Sequence, residues 1–512
     1  MTKNKKTLTR NEWSALLFGA SLLFGVILRF LPGIQAGFPL NDGGMFLSMI
    51  RDLSFSHYRL PAVTSYNNLG IPYAYPPFGF YLARLLSDLF NFSEIKLLRW
   101  LPPVVNSLSI WVFYQLAAAL LNSRRRGALA AAFYALTPAS FGWFIMGGGL
   151  TRSLGSLFLL SSVLWVYRLL SGGKRELAFS VLFCTLTVLS HPEAGIHTAL
   201  ACVLLWLFFG LTRASLLNAV LVGAGTILLS SPWWLTVISY HGFSPLLSAM
   251  QTGTHGAPLL TALYGAIFAS EGFVPLLVIL RAAGITWSVW RKNYFLILWA
   301  FLPYLVEPRS APSTAFYPMC MLTALALSDA LPAIWDHLRQ KKFNAEFQQR
   351  RWFNPVLILT IAYLFVESGI YGFKLVNNSL SIAGRQALEW AQKNTPAQSR
   401  FLAVTGVRSP EIDPFIEWFP ALAERRNQST LQGYEWLLGA DFYERYADLA
   451  ELQGCDSAEC IRLWAERTGL GYEYVVVQRS GADEALTASL DRAGNYQLVY
   501  FSEETAIYQA LK

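Results

Sequence analysis

Long apolar stretches separated by short polar breaks dominate the chain up to about residue 375, after which charged and apolar positions mix. A hydrocarbon core about 30 Å thick takes ~20 apolar residues of helix, so each stretch reads as a membrane crossing. The spans fall at 13–31, 101–121, 128–146, 154–171, 177–190, 194–211, 216–238, 273–290, 294–306, 316–333 and 355–373, giving about eleven crossings. Several are shorter than a full crossing, as in bundles with short or broken helices. The run Trp13–Leu31 is too long for a signal-peptide core and no small-residue cleavage site follows, so it reads as a retained first helix.

Lys and Arg set the orientation. With the N-terminus inside, Arg124-Arg125-Arg126, Lys174-Arg175, Arg213, Arg291-Lys292 and the run Arg339 to Arg351 all fall on the cytoplasmic side. Leu259–Ala269 is too short to cross and reads as a re-entrant or interfacial helix. The threading divides the chain into a transmembrane domain, 1–375, and an extracytoplasmic domain, 376–512. It places the protein in the cytoplasmic membrane with its N-terminus in the cytoplasm. The C-terminal part reads as α/β, with helices at Ala383–Lys393, Asp441–Leu452 and Ala458–Thr468. Its strands fall at Arg400–Val404, Tyr472–Gln478, Gln497–Phe501 and Thr505–Ala510.

The first outer loop, 33–100, is long and rich in aromatic residues and proline. Asp42–Phe55 has helical apolar spacing, and Pro76-Pro77 opens a second helix, Phe78–Phe90. The pair reads as two interfacial helices framing a cavity beside Asp42. The alternative is a structural cap in which Asp42 is only a helix N-cap.

Composition agrees with a membrane protein. The chain is 54% hydrophobic and only 14% charged, with a mean hydropathy of +0.37. The net charge of +8 comes from the cytoplasmic loops, so it does not point to nucleic acid. No P-loop, nucleophile-elbow or zinc spacing occurs, and no nucleotide site is recognisable. Cys455 and Cys460 form a disulfide or stay free; both readings stand.

The threading gathers the unusual polar residues at the outer face: Asp42, Arg152, His191, Glu193, Glu307 and Arg309. An ionisable residue at a membrane helix mouth costs desolvation unless it has a partner or a task. Gly147-Gly148-Gly149 before Arg152 reads as a turn that lets a ligand approach the backbone, with Arg152 a phosphate ligand; a flexible turn is the alternative. Arg309 either clamps a phosphate or pairs with Glu307. His191 and Glu193 are candidates for an acceptor sugar or, with Asp42, a divalent cation; a capping Glu beside a hydrogen-bonded His is the bland reading. Tyr75, Tyr81 and Glu307 are candidate cavity residues.

These features together resemble the GT-C superfamily of integral membrane glycosyltransferases, which includes protein O-mannosyltransferases, oligosaccharyltransferase catalytic subunits and aminoarabinose transferases. The matching parts are Asp42 after the first helix, the long first outer loop with Tyr75-Pro76-Pro77, the basic-inside helix series and the outer α/β domain. Glu417-Trp418-Phe419-Pro420 followed by Arg425-Arg426 is similar to a stretch of prokaryotic members. The resemblance implies transfer of a hexose or pentose from a polyprenyl-phosphate donor to a glycan, lipid or protein acceptor, with inversion. It implies Asp42 as general base and Arg152 and Arg309 on the leaving phosphate. Mg or Mn is a candidate cofactor, with a metal-independent mechanism the alternative. Two departures stand out: Asn41 precedes Asp42 where many members pair acids, and the loop Phe141–Ser153 has no acid. A transporter or lipid flippase, or a non-catalytic envelope assembly protein, are the competing classes; no inverted repeat favours the first.

Overall fold

The computed structural model describes residues 9–172, 175–252, 275–340, 347–479, 482 and 484–511. The expected re-entrant segment 259–269 and part of the basic run before Arg351 lie outside them.

The membrane part is built from helices α1 (Arg10–Ala36), α2 (Gly44–Phe55), α3 (Phe78–Phe90), α4 (Glu94–Leu120), α5 (Arg124–Ala135), α6 (Gly149–Leu170), α7 (Glu176–Val188), α8 (Pro192–Phe209) and α9 (Arg213–His241). It continues through α10 (Ser244–Gln251), α11 (Leu276–Trp290), α12 (Phe295–Phe301), α13 (Pro303–Val306), α14 (Ala311–Leu325), α15 (Leu331–Leu338) and α16 (Phe353–Val376). Among the described residues seven helices are long and apolar enough to cross a membrane: α1, α4, α6, α8, α9, the run Ala311–Leu338 and α16. Shorter apolar helices occupy Glu176–Val188, Leu276–Trp290 and Phe295–Val306. Large apolar side chains such as Leu228, Ile358 and Leu359 are exposed on α9 and α16, as lipid-facing positions require.

The expected span 128–146 is not one helix. Helix α5 ends at Ala135, Thr137 turns extended, and Pro138 opens a single 3₁₀ turn. Proline lacks the N–H that would continue the ladder and forces the residue before it out of the helical region. The chain then turns through Phe141–Gly148 until α6 starts at Gly149. This stretch is largely buried in protein, the condition under which irregular backbone survives in a membrane.

Buried Arg29 of α1 joins this broken region to its neighbours. Its guanidinium donates to Asn106 Oδ1 of α4 at 2.6 Å, to the Ala135 carbonyl at 2.8 Å and to Ser140 Oγ at 2.9 Å. The rings of Phe141 and Tyr134 lie within 5.5 and 5.9 Å of it. Acids on the basic side are paired: Asp329 with Arg126, and Asp336 with both terminal nitrogens of Arg350 at 2.7 and 2.6 Å.

The C-terminal part holds a five-stranded mixed sheet of β1 (Arg400–Val404), β2 (Arg426–Asn427), β3 (Tyr474–Gln478), β4 (Tyr496–Phe501) and β5 (Thr505–Ala510), in the order β2-β1-β3-β5-β4. Strands β2, β1 and β3 run parallel, and β5 is antiparallel to β3 and β4. Helices α17 (Ile382–Asn394), α18 (Pro414–Ala423), α19 (Phe442–Leu452), α20 (Ala458–Thr468) and α21 (Glu484–Arg492) accompany it. Cys455 and Cys460 form a disulfide. Helix α18 shows no amphipathic stripe because it is buried on several sides: Phe415, Ile416, Trp418 and Phe419 are all inside. Pro414 at its first position and Asp413, which caps Phe415 and Ile416, start it.

One apolar core joins the two parts. Phe401, Ile416, Trp418, Phe419 and Val476 from the sheet side pack in the same cluster as Phe46, Leu47, Ile50, Leu53 and Phe80 from α2 and α3. Helix α18 thus sits on α2, next to Asp42. Arg29→Met, which keeps the volume but leaves the Asn106 and Ala135 oxygens without a donor, should cost on the order of 3 kcal/mol. The expected result is a clear drop in the melting temperature of the detergent-solubilised protein.

Candidate active site

The segment from Pro39 to Gly44 is gripped from two sides. On one side, the Gly147 N–H donates to the Leu40 carbonyl at 2.9 Å. On the other, the Trp418 indole N–H donates to the Asn41 carbonyl at 2.8 Å, and Asn41 N–H donates to Asn378 at 2.7 Å. Asn41 has φ +51°, a conformation asparagine tolerates better than most residues. Helix α2 starts just beyond, with Gly43 at its N-cap and so no capping side chain of its own. Its first amides are met from the C-terminal part: Glu417 Oε2 accepts from Gly44 N–H at 2.8 Å, and Oε1 from Met45 N–H at 3.1 Å.

Asp42 does not cap α2. Its Oδ1 accepts from the Gly148 N–H at 2.9 Å, and Arg152 Nη2 lies 2.9 and 3.2 Å from its two oxygens. The Arg152 guanidinium rests on the Trp143 ring, 4.2 Å from its centroid. The glycine run before Arg152 therefore receives Asp42 itself: a Cβ on Gly147 would overlap the Asp42 carbonyl, and one on Gly148 its carboxylate. Asp42 keeps 22% of its side chain exposed, enough for a substrate to reach it.

A second cluster lies close by. His191 holds the N-cap position of α8, and Glu193 in the first turn of that helix pairs with Arg309 at 3.5 Å. Arg309 does not pair with the Glu307 carboxylate through its guanidinium. Glu307 instead accepts from the backbone N–H groups of Arg309 and Ser310, both at 3.0 Å, from Ser310 Oγ at 2.6 Å, and lies 3.2 Å from His197 Nε2. Burial raises the Glu307 carboxyl, but the His197 and Ser310 hydrogen bonds outweigh it and hold it at about 2. Burial, with Arg152 and Arg309 nearby, pushes the His191 imidazole down to about 3, so it is neutral at neutral pH. Burial lifts the Tyr75 phenol to about 12; its hydroxyl meets Thr151 Oγ1 at 3.3 Å, and its ring lies 6.3 Å from His191 and 6.0 Å from Trp436.

Asp42, Arg152, Tyr75, His191, Glu193, Glu307 and Arg309 thus share one mouth between the membrane helices and the C-terminal part. Tyr81 does not join them; its hydroxyl donates to the Tyr58 carbonyl on the exposed side of α3. Sequence reasoning missed Glu435 and Trp436, which the C-terminal part contributes, and His197, one turn beyond Glu193. Burial raises the Glu435 carboxyl, and a backbone hydrogen bond and the Arg309 charge lower it in opposition. The His191-Pro192-Glu193-Ala-Gly-Ile-His197 spacing carried a signal for His197, since positions 193 and 197 share a helix face.

Two acidic groups of the site are each matched by an arginine. Asp42 is matched by Arg152 and Glu193 by Arg309, and among the described residues no three His, Cys, Asp or Glu side chains converge on one point. Beside the mouth, behind Trp143, lies a cavity of about 200 Å³ lined by Arg281, Tyr304, Pro312, Phe316, Met319 and Tyr371 among others.

Residues 74–236 match the family described as dolichyl-phosphate-mannose-protein mannosyltransferase. Three solved structures share the architecture over almost the whole chain. The oligosaccharyltransferase AglB from Archaeoglobus fulgidus, in complex with an inhibitory peptide and a dolichol-phosphate, is 16% identical with a TM-score of 0.53, over 96% of this chain and 73% of its own. ArnT from Cupriavidus metallidurans bound to undecaprenyl phosphate is 16% identical with a TM-score of 0.52, over 98% of both chains. The arabinofuranosyltransferase AftD from Mycobacteria is 16% identical with a TM-score of 0.52, over 99% of this chain and 42% of its own. The chain thus shares the fold of these membrane glycosyltransferases. No curated protein sequence matches it.

Glu417 links the site to pH. Burial, and then the Asp42 charge, push its carboxyl up to about 7 from an ordinary 4.5, against the lowering by the Gly44 and Met45 amides. The folded state holds this proton more tightly than the unfolded chain, so its contribution to stability falls as pH rises from about 4.5 through 7. The change is about 3 kcal/mol. Glu417→Gln should remove it, and melting temperature measured across this window should flatten; an unchanged slope contradicts the assignment.

Proposed function

We propose that the protein transfers a sugar from a polyprenyl-phosphate donor to an acceptor hydroxyl at the extracytoplasmic face of the cytoplasmic membrane. The observation that carries this reading is the Asp42–Arg152 pair, with a second pair, Glu193–Arg309, close by. The AglB structure in complex with a dolichol-phosphate and the ArnT structure bound to undecaprenyl phosphate support a lipid-phosphate donor.

In the proposed reaction Asp42 takes the proton from the acceptor hydroxyl as its oxygen bonds to the anomeric carbon. The bond from that carbon to the phosphate oxygen breaks on the opposite face, and its electron pair leaves with the polyprenyl phosphate. The configuration inverts. Two negative charges develop at separate points, the leaving phosphate and the acceptor oxygen, and each needs its own partner. Arg309 is 54% exposed at its side chain and is the group best placed to meet an incoming phosphate. Arg152 is shared: it pairs with Asp42, and a phosphate arriving over Trp143 would compete for it and free the Asp42 carboxylate for the acceptor hydroxyl. The cavity behind Trp143, with Arg281 and Tyr304 in its wall, would take the first part of the lipid. His191, neutral and buried, is suited to hydrogen-bond a sugar hydroxyl.

Asp42→Asn, correctly folded, should lose on the order of 10²- to 10⁴-fold in transfer from radiolabelled polyprenyl-phosphate sugars in membranes. Full transfer by that variant would sink the assignment. Arg309→Gln should weaken donor use about 10- to 100-fold, read as kcat/KM for the donor, the loss of one charge-assisted contact to phosphate. An unchanged value would move the phosphate elsewhere.

A further inference from the structure

Helix α2 begins with a problem that its own sequence does not solve. The first amides of a helix point out with no partner, and a buried one left unpaired is costly. The N-cap here is Gly43, which has no side chain to offer. The nearest local carboxylate is Asp42, one residue earlier in the chain. An aspartate at this place would ordinarily turn onto the helix start, where the partial positive charge of the dipole also favours it. Asp42 is instead turned away, onto Gly148 N–H and Arg152.

Glu417 explains the choice. Its two carboxylate oxygens occupy the Gly44 and Met45 amides, reaching across from helix α18. With those donors taken, Asp42 has nothing to gain there. Trp418, the next residue, fixes the other flank through its bond to the Asn41 carbonyl, and the Tyr66 hydroxyl donates to the Glu417 backbone carbonyl at 2.6 Å. The approach is close enough that both glycines of α2's start are needed: a Cβ on Gly43 would stand 2.8 Å from the Trp418 ring, and one on Gly44 2.6 Å from the Glu417 carbonyl.

We propose that Glu417 is a positioning residue: by capping α2 from the C-terminal part it keeps the Asp42 carboxylate out of the helix cap and in the mouth with Arg152. Seating of α18 on α2 is then a condition for activity, and the C-terminal part completes the site as well as covering it. This rests on the reading of Asp42 as the general base.

The test compares the full-length wild type with Glu417→Gln, Glu417→Leu and Trp418→Phe, each checked for a monodisperse, cooperatively melting protein. Turnover is measured with radiolabelled polyprenyl-phosphate hexose and pentose donors. Glu417→Leu leaves both amides open and should let Asp42 fall onto them, lowering kcat on the order of 10²-fold with donor KM within about twofold. Glu417→Gln keeps one acceptor and should recover part of the rate. Trp418→Phe, the mildest change, should lower kcat less than Glu417→Leu does. Wild-type kcat in a folded Glu417→Leu protein overturns the proposal. If the wild type itself transfers no sugar, the functional reading fails separately. The positioning claim is then read from hydrogen exchange at the Gly148 amide, which donates to Asp42 in the wild type and needs no substrate. Faster exchange at Gly148 in Glu417→Leu is expected, because Asp42 leaves it; exchange there equal to wild type overturns it.

Discussion

The carboxylate of Asp42 and the guanidinium of Arg152 form the contact on which the rest of this site depends. It is a partly exposed pair, so its attraction alone is modest. Its geometry is dictated by the backbone around it. The Gly147–Gly148 turn comes against the Asp42 segment so closely that no side chain fits, and the Gly148 amide adds a hydrogen bond to the same carboxylate. That turn exists because α5 stops short at Ala135 and Pro138 sends the chain into irregular structure. Arg29, buried in α1, satisfies the Ala135 carbonyl and Ser140 in that broken stretch. A helix break, a buried arginine and two glycines thus place one carboxylate.

The site is also electrostatically balanced in pairs. Arg152 answers Asp42, and Arg309 answers Glu193. Glu307 is answered by His197, a serine hydroxyl and two backbone amides. Pairing keeps several ionisable groups affordable near a membrane, yet leaves the two arginines exchangeable for a more highly charged partner such as phosphate. Glu417 is the exception: it faces Asp42 with no cation partner among the described residues and relies on backbone amides, and burial with the Asp42 charge lifts its carboxyl to about 7.

Much of this was legible along the chain. Apolar length and basic loops revealed the membrane helices, and α3, β1, α20 and β5 fall where their patterns place them. Residues that are costly near a membrane, Asp42, Arg152, His191, Glu193, Glu307 and Arg309, stood out for that reason and converge. What stayed hidden has physical causes. The span 128–146 is apolar throughout, and apolarity does not reveal that Pro138 ends the helix. Helix α18 is buried on several sides and has no stripe to detect. The partners Glu417, Glu435 and Trp436 lie more than a hundred residues from the groups they meet, and only the docking of the sheet part onto α2 brings them near. The role of the glycine run was legible only in part: close approach was expected there, but the approaching group is Asp42.

The most direct test of the account is a structure of the protein with undecaprenyl phosphate bound. The account predicts the phosphate at Arg309 within contact of Arg152, with Arg152 drawn from Asp42 and Asp42 still on the Gly148 amide. A phosphate bound away from both arginines, with the Asp42–Arg152 pair unchanged, would contradict it.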